Sequence, residues 1–494
     1  MKPLNVMRRL LIGLTLVLGL IACGFFGCGG GGSSSPPAVA VAPARYLKDQ
    51  NGSPFPILGR TAWFITSLSV PDYKLFIDDT VNKGYNSIEF HVVNHDPRGN
   101  NPPFGGNGEL PFSKRLDTTA WTTGSLVYTN INNEAPNFSQ PNEAYWAYVD
   151  ALLDYAKSKD VLCFLFPAYV GVQGGNEGWM AEMVANGTTS MQTYGAFIAN
   201  RYKTRDNIVW MLGGDHGTGA GIDAFTPPQL AVEKALLAGM KSVGGQASVN
   251  FSAEWSTESI YTDQIDPMLL AAGMLQGAYS FDGHVNTQAR NGYAHSPVMP
   301  TFLLEEPYDE EGPPPDGNGV NPAAVPPVRR YQWWGLLSGI GGYISGNGYV
   351  WPFNSSPPSD DWHNHLNTFG AMDMVQLNAF VRSIAWYNLV PSGMGGMRTL
   401  VVGNSVPDAS DYVAAAATPD GTLLVAYAPP GHAGPITIDM AAVSGPARAR
   451  WFNPFDGTYS NIGTGLPDTG TSDFFVPGTN GSGYNDWVLV LDKQ

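Results

Sequence analysis

Cysteine is scarce in this sequence, and its distribution excludes two ways of stabilising a fold. Only 3 of the 494 residues are cysteines, and two of them, Cys23 and Cys28, lie close to the amino terminus. The third, Cys163, lies inside an apolar run and is expected to be a buried small hydrophobe. A disulfide framework within the folded part and a cysteine-based zinc site are therefore both excluded.

Positive charge is also scarce, since the sequence has 26 lysines and arginines but 42 acidic residues, and the formal net charge is -16. This balance argues against nucleic acids or an anionic membrane surface as partners, because both require clustered basic side chains. No G-x-S-x-G, H-E-x-x-H or P-loop pattern occurs, which disfavours esterase, metalloprotease and nucleotide-binding functions. The 13 Trp, 22 Tyr and 23 Phe instead favour a neutral, hydroxyl-rich partner such as a polysaccharide or oligosaccharide, with no metal or cofactor.

The longest uncharged apolar run near the amino terminus spans residues 10–22 and follows a basic start. It is too short to span a bilayer comfortably, so residues 1–22 are predicted to be a signal peptide. Residues 20–23, Leu-Ile-Ala-Cys, resemble the lipobox of bacterial lipoproteins, which predicts lipidation of Cys23 and an extracytoplasmic protein anchored at the cell surface or in the periplasm. The alternative is a plain secreted protein cleaved nearby. Residues 23–44 form a Gly/Ser/Pro tether.

Alternating strand-like and helix-like segments predict the fold of residues 45–392. The predicted strands are residues 54–63, 86–93, 161–170, 207–212, 247–253, 273–279, 299–306 and 342–351. The predicted helices include residues 71–84, 142–160, 190–205, 227–243, 323–337 and 373–384. Eight such strands predict an α/β protein of the (β/α)8 TIM-barrel class. Residues 393–494 contain short β-like runs separated by turns and are predicted to form a small antiparallel β-sandwich.

The fourth predicted strand ends in a candidate catalytic acid. Gly213 and Gly214 allow a tight turn after the apolar run, and Asp215 follows them directly. Parallel α/β proteins place their chemistry at the carboxyl ends of strands. The alternative is that Asp215 only caps the next turn or helix.

A second candidate acid, Glu306, ends the seventh predicted strand. Two carboxylates across a barrel mouth are the equipment of a glycosidase, in which one protonates the leaving oxygen. The other attacks the anomeric carbon at a separation of about 5–5.5 Å, or activates water at about 6.5–9.5 Å. Adjacent strand residues point to opposite faces, so Glu305 and Glu306 are not both expected to face the axis. The alternative for Glu306 is an ion pair with an arginine.

Several ordered motifs resemble one family over about residues 45 to 392. They are Gly-Ser-Pro-Phe at 52–55, Gly-Arg-Thr-Ala-Trp at 59–63, the run from Arg201-Tyr202-Lys203 to Gly213-Gly214-Asp215, Glu-Pro at 306–307, Arg-Arg-Tyr-Gln-Trp-Trp at 329–334 and Gly-Asn-Gly-Tyr-Val-Trp at 346–351. Together they are similar to the apiosidase-like glycoside hydrolases, a barrel family that acts on plant-type polysaccharide side chains. The resemblance implies that Asp215 is the acid/base and Glu306 the nucleophile of a retaining mechanism.

The sequence departs from the pattern of this family at several positions. Arg60 stands where the family usually has Asp, Ser345 and Asn347 stand where it tends to have Tyr and His, and Glu305 replaces a small or amide residue. All are expected to line the mouth, so they put the identity of the sugar in doubt. They also leave room for an alternative, a catalytically inactive carbohydrate- or collagen-binding surface lipoprotein.

The segment after residue 393 has a resemblance of its own. Residues 450–457 (Arg-Trp-Phe-Asn-Pro-Phe-Asp-Gly) and 486–491 (Asp-Trp-Val-Leu-Val-Leu) resemble a module named as the collagen-binding domain of a collagenase. An accessory sandwich packed against the barrel is the role we expect for it.

Further side chains near the predicted strand ends are candidates for binding substrate. They are Trp63, Arg60, Glu89, His91, Glu254, Gln276, Tyr308, Asn347 and Trp351. Aromatic rings at strand ends are suited to stacking on sugars, and core packing is the alternative for Trp63 and Trp351. A hydrogen bond to a substrate hydroxyl and a salt bridge are both open for Glu254.

Overall fold

An eight-stranded parallel sheet is the centre of residues 57–345 in the computed structural model. The structure describes residues 45–494 except 97, 100–101, 114–134, 172–173, 176, 215–224, 245–250, 255–275, 280–283, 297, 306, 311–326 and 404, and it describes only the backbone of 251–254, 276–279 and 401–402. A short hairpin of β1 (Leu47–Lys48) and β2 (Pro54–Phe55) precedes the sheet. The strands of the sheet are β3 (Ile57–Thr61), β4 (Ser87–His91), β5 (Leu162–Phe166), β6 (Ile208–Gly213), β7 (Phe251–Glu254), β8 (Gln276–Tyr279), β9 (Thr301–Glu305) and β10 (Gly342–Ser345).

The strand order in this sheet is β7-β6-β5-β4-β3-β10-β9-β8, and every pairing is parallel. Each strand thus lies beside its neighbour in the chain, and β3 pairs with β10. Strands β3, β4, β5, β6, β9 and β10 are buried along their whole length, as a parallel sheet covered on both faces requires. The predicted parallel α/β architecture is confirmed.

Seven helices in the described residues cover the outside of this sheet. They are α1 (Val70–Asn82), α2 (Glu143–Ser158), α3 (Met180–Tyr202), α4 (Pro227–Val243), α5 (Val285–Ala294), α6 (Arg329–Leu337) and α7 (Phe369–Ser383). Side chains cap several amino ends: Ser69 accepts from the Asp72 amide, Asn142 accepts from the Ala144 amide, and Thr226 and Gln229 form a capping box. Within the described part of the chain, no helix combines the length and apolar character needed to cross a bilayer.

Some predicted boundaries differ from the observed ones. Helix α3 begins at Met180, ten residues before the predicted start, because Gly187 (φ 72°) interrupts the helical geometry in the middle of a longer helix and its Gly-Thr-Thr-Ser surroundings are typical of a loop. Strand β10 ends at Ser345 because Asn347 then caps a turn through the amides of Tyr349 and Val350.

The tail, residues 390–494, contains two antiparallel sheets, which confirms the predicted β-structure. Its strands are β11 (Val390–Pro391), β12 (Leu400–Val402), β13 (Ala414–Ala417), β14 (Leu423–Ala428), β15 (Pro435–Asp439), β16 (Ala447–Phe452), β17 (Tyr459–Leu466), β18 (Thr471–Phe475) and β19 (Trp487–Lys493). Six form a sheet of order β11-β13-β14-β19-β16-β17, and β12-β15-β18 form the second. The predicted strands did not include β17 and β18, because both are largely exposed and lack an apolar run.

Strand β14, in the six-stranded sheet of the tail, is covered on both faces. Leu424 and Ala426 pack toward the three-stranded sheet with Ile436, whereas Val425 and Tyr427 pack toward the helices of the parallel sheet. The Tyr427 ring stacks on Trp333 of α6 with centroids 5.9 Å apart. Alternate residues of one strand thus join two cores, and the tail supplies the outer cover of α6 and α7.

A buried ion network crosses this interface, and we call it the junction network. The Arg329 guanidinium donates a bidentate pair of hydrogen bonds to Asp486 of the tail (2.8 and 2.7 Å). It also donates to Asp373 of α7 (2.7 Å). The Tyr427 hydroxyl and the Asn480 amide donate to Asp486 as well. The side chains of Arg329, Asp373 and Asp486 are 2%, 4% and 0% exposed. Desolvation raises the pKa of Asp373 to about 7; Arg329 opposes the rise, and Asp486 and Asp309 add to it.

Candidate active site

Polar and aromatic side chains gather where the parallel strands end. Strand β6 ends at Gly213 (φ 86°), whose backbone only glycine adopts readily, and the Val170 amide bonds the Gly213 carbonyl at 3.0 Å. Both sequence-predicted acids, Asp215 and Glu306, lie outside the described residues. Their chain neighbours Gly214 and Glu305 are described, and these two residues mark the strand ends that precede the acids.

Three stacked rings line this end of the sheet between β3 and β5. The His91 ring stacks on Tyr169 with centroids 4.4 Å apart and planes 18° apart. The centroid of the Trp63 ring lies 5.1 Å from that of His91, with the planes 36° apart. Phe166 packs edge-to-face against both rings. All four residues are at or just beyond the carboxyl ends of their strands, so the edge of the sheet is walled by aromatic surface.

The indole of Trp63 extends this wall to β9. Its Nε1 donates to the Tyr308 hydroxyl at 3.0 Å, and that hydroxyl in turn donates to the carboxylate of Glu305. Trp63 and Glu305 are 6% and 7% exposed and Tyr308 is 2% exposed. A phenol that accepts from an indole and donates to a carboxylate holds all three side chains in one orientation.

The opposite end of the wall reaches Gly214. A Cβ placed on Gly214 would come within 2.8 Å of the Tyr169 ring and 3.0 Å of a Val170 methyl, so this backbone lies directly against Tyr169. A continuous series of contacts therefore runs from the residue before Asp215 to the residue before Glu306. We call it the mouth belt: Gly214, Tyr169, His91, Trp63, Tyr308 and Glu305.

His91 contributes no charge to this belt near neutral pH. Burial, together with the nearby Arg98 and His95, lowers the pKa of His91 to about 3. The imidazole is neutral above that pH, so it acts as a hydrogen-bonding ring and a stacking surface. The positive charge of His91 is thus absent from the mouth in the pH range in which carboxylates ionise.

A second group of side chains lies beside the belt. Phe64 packs against His91 (5.7 Å) and against Trp351 (5.6 Å), and the Arg98 guanidinium lies 4.8 Å from the centre of the Trp351 ring. Arg98 is also paired with the buried Asp96. The half-buried Trp351 is therefore a ring at the margin of the mouth, with a cation on one face.

Arg60 and Ser345 lie behind the sheet, which corrects the prediction that they line the mouth. The Arg60 guanidinium pairs with Asp79 of α1 at 2.6 Å and covers the Phe76 ring. The Ser345 hydroxyl bonds Tyr85 and the Gly59 carbonyl. Because β3 and β10 are buried on both faces, their polar side chains point to the helices as readily as to the axis. Both residues line a cavity of about 20 Å³ between the sheet and α7, which has room for about one water.

Asn347 is likewise engaged, in hydrogen bonds that join the loop after β10 to the segment after β9. Its amide nitrogen donates to Asp309 and Glu310, and its amide oxygen accepts from two backbone amides of the following turn. The side chain is buried and shapes the loop after β10. Its assignment as a substrate-binding residue is therefore corrected to a loop-holding role.

The three remaining predicted residues differ in position. Glu89 of β4 is fully buried, and its strand partners in register are Thr61 and Phe164, one pleat below the belt. Glu254 is the last residue of β7 and pairs with Gly213, so its backbone borders the mouth, while its side chain lies outside the described atoms. Gln276 is the first residue of β8; its backbone lies at the opposite end of the sheet, which corrects its assignment to the substrate.

Sequence reasoning missed Tyr169 and Arg98. Tyr169 follows β5 in Pro-Ala-Tyr, a position equivalent to that of Trp63, and could have been found by that equivalence. Glu305 is expected from the sequence to line the mouth but not to serve beside Glu306 as an acid, because neighbouring strand residues alternate; in the structure a β-bulge separates Leu303 from Glu305 in the pairing with β8. A bulge re-aims the side chains that follow it, so alternation does not decide between Glu305 and Glu306.

No group of three or more His, Cys, Asp or Glu side chains in the described residues is arranged to hold a metal ion. Cys163 is buried with a free thiol, and burial raises the pKa of that thiol. The described chemistry of the mouth is that of carboxylates, a phenol, an imidazole and indoles.

Comparisons with known proteins agree with this geometry. The family model "Apiosidase-like, catalytic domain" matches residues 42–388, and the model "Putative collagen-binding domain of a collagenase" matches residues 398–492. No curated protein matches the chain in sequence.

Solved structures with a similar fold are glycoside hydrolases. One, titled "Glycoside hydrolase", superposes with a TM-score of 0.70 at 19% identity and covers 94% of this chain and 99% of its own. A family 5 glycoside hydrolase from Bacteroides vulgatus ATCC 8482 superposes with a TM-score of 0.66 at 20% identity and covers 92% of this chain and 93% of its own. At these identities the likeness concerns the fold.

Proposed function

Because the chain belongs to the apiosidase-like family of glycoside hydrolases, we propose that the mouth belt surrounds its active site and that it cleaves a plant-type polysaccharide or its side chains with retention of configuration. The reaction uses two carboxylates and no cofactor. Asp215 is the acid/base and Glu306 the nucleophile in this proposal.

The observation that carries the proposal is the continuity of the mouth belt. Its two ends, Gly214 and Glu305, are the chain neighbours of the two proposed acids, and stacked rings and hydrogen bonds connect them. Both acids therefore follow residues that border one mouth, although they are far apart in sequence. Aromatic walls around two acids suit an uncharged sugar ring, whose faces are apolar and whose edges carry hydroxyl groups.

The proposed reaction has two steps. In the first, the Glu306 carboxylate attacks the anomeric carbon while Asp215 gives its proton to the departing glycosidic oxygen, so a glycosyl ester forms as the glycosidic bond breaks. In the second, Asp215 takes a proton from water, and the oxygen of that water attacks the anomeric carbon and releases Glu306. An acid role for Asp215 at neutral pH needs a raised pKa, which burial or a nearby negative charge would produce.

The bulge in β9 provides a second candidate for the nucleophile. The Glu305 carboxylate belongs to the mouth belt and receives a hydrogen bond from Tyr308. A tyrosine hydroxyl on a carboxylate fixes its orientation for attack. Glu305 therefore has to be tested beside Glu306 and not assumed to be structural.

The catalytically inactive alternative loses part of its support. It rested on Arg60, Ser345 and Asn347 as altered mouth residues, and these side chains bond behind the sheet or within a loop. Collagen binding by the tail gains no support from β14, because both faces of that strand are covered. A structural cover for the parallel sheet is the role that this packing favours for the tail.

We also infer that the parallel sheet closes into a (β/α)8 barrel between β7 and β8. Cα atoms of these two edge strands approach within 8 Å of each other, and the sheet order is that of a barrel opened at this point. A crystal structure with solvent between β7 and β8 would contradict closure.

For localisation, lipidation at Cys23 and extracytoplasmic anchoring remain our proposal from the sequence. The mass of the mature amino-terminal peptide, measured after expression in a bacterium, distinguishes a lipidated Cys23 from a plain secreted start.

The reaction is tested with three isosteric variants, Asp215→Asn, Glu306→Gln and Glu305→Gln. Each is incubated with a panel of plant and bacterial polysaccharides, and products are separated and identified. We expect Asp215→Asn and Glu306→Gln to lower turnover by about 1,000-fold or more, with thermal unfolding near that of the parent. The anomeric configuration of the first product, read by NMR, should match the substrate.

The outcomes separate the candidates. Full activity of Glu306→Gln together with loss in Glu305→Gln would transfer the nucleophile to Glu305. Full activity of Asp215→Asn would remove Asp215 from the mechanism, and an inverted product would exclude the retaining mechanism.

A further inference from the structure

A second cavity lies outside the mouth, where α7 meets the tail. Its volume is about 740 Å³, which is within the range of about 300–1,000 Å³ typical of ligand sites. Its walls come from the turn Trp362–His365, the first two turns of α7 and the tail loop that contains Phe455 and Asp456. We call it the junction cleft.

The floor of the junction cleft is apolar and unusually accessible. Phe369, the first residue of α7, is 78% exposed, the highest value for a large apolar side chain among the described residues. Met372, one turn further on, is 44% exposed, and Phe455 of the tail is half-buried. An accessible apolar patch of this kind beside a concave surface indicates a site for a ligand.

The rim of the junction cleft is polar and carries no described basic residue except His365. Gln376 and Asn364 supply amide groups, and Glu310 and Asp456 supply carboxylates. Amides donate to and accept from hydroxyl groups, and carboxylates accept from them, whereas two carboxylates repel an anionic ligand. Apolar rings under a hydroxyl-binding rim fit a neutral saccharide.

The loop after β9 connects the junction cleft to the mouth. Tyr308 belongs to the mouth belt, and Glu310, two residues later, lines the cleft, so their backbones are at most about 7 Å apart. Glu310 is held in place by His365 (2.6 Å) and Asn347 (3.2 Å), and the His365 ring stacks on Tyr349 at 4.0 Å. The segment from Tyr308 to Glu310 is therefore shared by the two sites.

We propose that the junction cleft is a second glycan-binding site, which holds a neutral oligosaccharide segment of the same polymer whose scissile part occupies the mouth. Sugar rings stack on Phe369 and Phe455, and Gln376, Glu310 and Asp456 bond their hydroxyl groups. This inference rests on the proposed function for the mouth, and it adds a chain-length preference to it.

The test uses the full chain and the double variant Phe369→Ala/Phe455→Ala. Phe475→Ala is the matched control, since Phe475 is also exposed (64%) but belongs to β18, outside the cleft. Kinetic constants are measured on the cleaved polysaccharide and on the shortest oligosaccharide of it that is still cleaved. We expect the double variant to raise KM for the polymer about tenfold without changing kcat. Neither constant should change on the short substrate.

Affinity electrophoresis keeps this test independent of turnover. Native gels contain xyloglucan, arabinoxylan or galactomannan as neutral probes and polygalacturonan as an acidic one. Retardation by a neutral polymer that is lost in the double variant and kept in Phe475→Ala supports the site even if no polymer is hydrolysed.

Three results would overturn the inference. One is a rise in KM of the double variant that is equal on the short oligosaccharide and on the polysaccharide. Another is retardation that is the same for the parent and the double variant, or absent with every neutral polymer. The third is retention on immobilised collagen by the parent and by Phe475→Ala but not by the double variant. That result would make the cleft a protein-binding site.

Discussion

The mouth belt and the junction network both hold a buried carboxylate, but they hold it with donors of different charge. In the mouth belt, Tyr308 donates a hydrogen bond to Glu305. In the junction network, the guanidinium of Arg329 grips Asp486 with two bonds and also reaches Asp373. A neutral phenol orients an acid without adding charge, whereas a guanidinium also neutralises it.

This difference separates a site built for chemistry from one built for cohesion. The paired charges of the junction network are almost completely buried, so each is costly without the other. The mouth belt is assembled from aromatic rings and the Glu305 carboxylate, which accepts a hydrogen bond from a neutral phenol. Substitutions in the junction network are therefore expected to lower stability, and substitutions in the mouth belt are expected to lower turnover.

The largest expected effect comes from Arg329→Met, which would leave Asp373 and Asp486 buried without their cation. We expect the free energy of unfolding to fall by about 3–5 kcal/mol, measured by denaturant or thermal unfolding. Turnover of the folded fraction at low temperature should be unchanged. The control is Arg448→Met, because Arg448 pairs with Asp492 at the surface of the tail, and its removal should change unfolding little. Equal losses in both variants would contradict the special role of the junction network.

A smaller effect is expected from Tyr308→Phe, which removes the hydroxyl between Trp63 and Glu305. A catalytic group misplaced by about 1 Å can lose about 100-fold in rate, so turnover should fall about 10- to 100-fold when this orienting hydroxyl is removed. The unfolding temperature should stay close to that of the parent. Tyr85→Phe is the control, because the Tyr85 hydroxyl bonds Ser345 behind the sheet. A comparable drop in turnover for Tyr85→Phe would refute the distinction between the mouth and the back of the sheet.

The last expected effect is the most gradual one and concerns pH. The folded-state pKa of Asp373 is raised from 3.8 to about 7 by burial, so the native protein binds one more proton than the unfolded chain between these values. Stability is therefore expected to fall progressively as pH rises through this window. Asp373→Asn should abolish that part of the slope, as measured by unfolding at several pH values. A slope identical to the parent's would show that Asp373 does not titrate there.

Much of the fold could be predicted because its signals are local in sequence. Buried parallel strands are short apolar runs, and helices α1, α2 and α4 have capping residues that stand out in the sequence. The predicted placement of Asp215 and Glu306 after strands β6 and β9 used the same local information. Local sequence does not show whether a polar side chain on a strand points inward or outward. Arg60 lies on a strand buried on both faces, and only its partner Asp79 on α1 shows which face it occupies.

The contacts that complete the site also could not be predicted from local patterns. Trp63 and Tyr308 are 245 residues apart in sequence and meet only because β3 and β9 flank β10. The bulge opposite β8 changes the direction of Glu305 and has no glycine or proline to signal it. Strand β14 is an uninterrupted apolar run, and the sequence does not show that the helices of the parallel sheet cover one of its faces while the three-stranded sheet covers the other.

The position of β19 has a consequence for biosynthesis. This strand pairs with both β14 and β16 in the middle of the six-stranded sheet, so that layer cannot assemble until the ribosome has delivered residue 493. Until then Trp333 and its neighbours on α6 lack their cover and expose apolar surface during translation. Nascent chains at this stage are expected to recruit chaperones that hold them until synthesis passes that point.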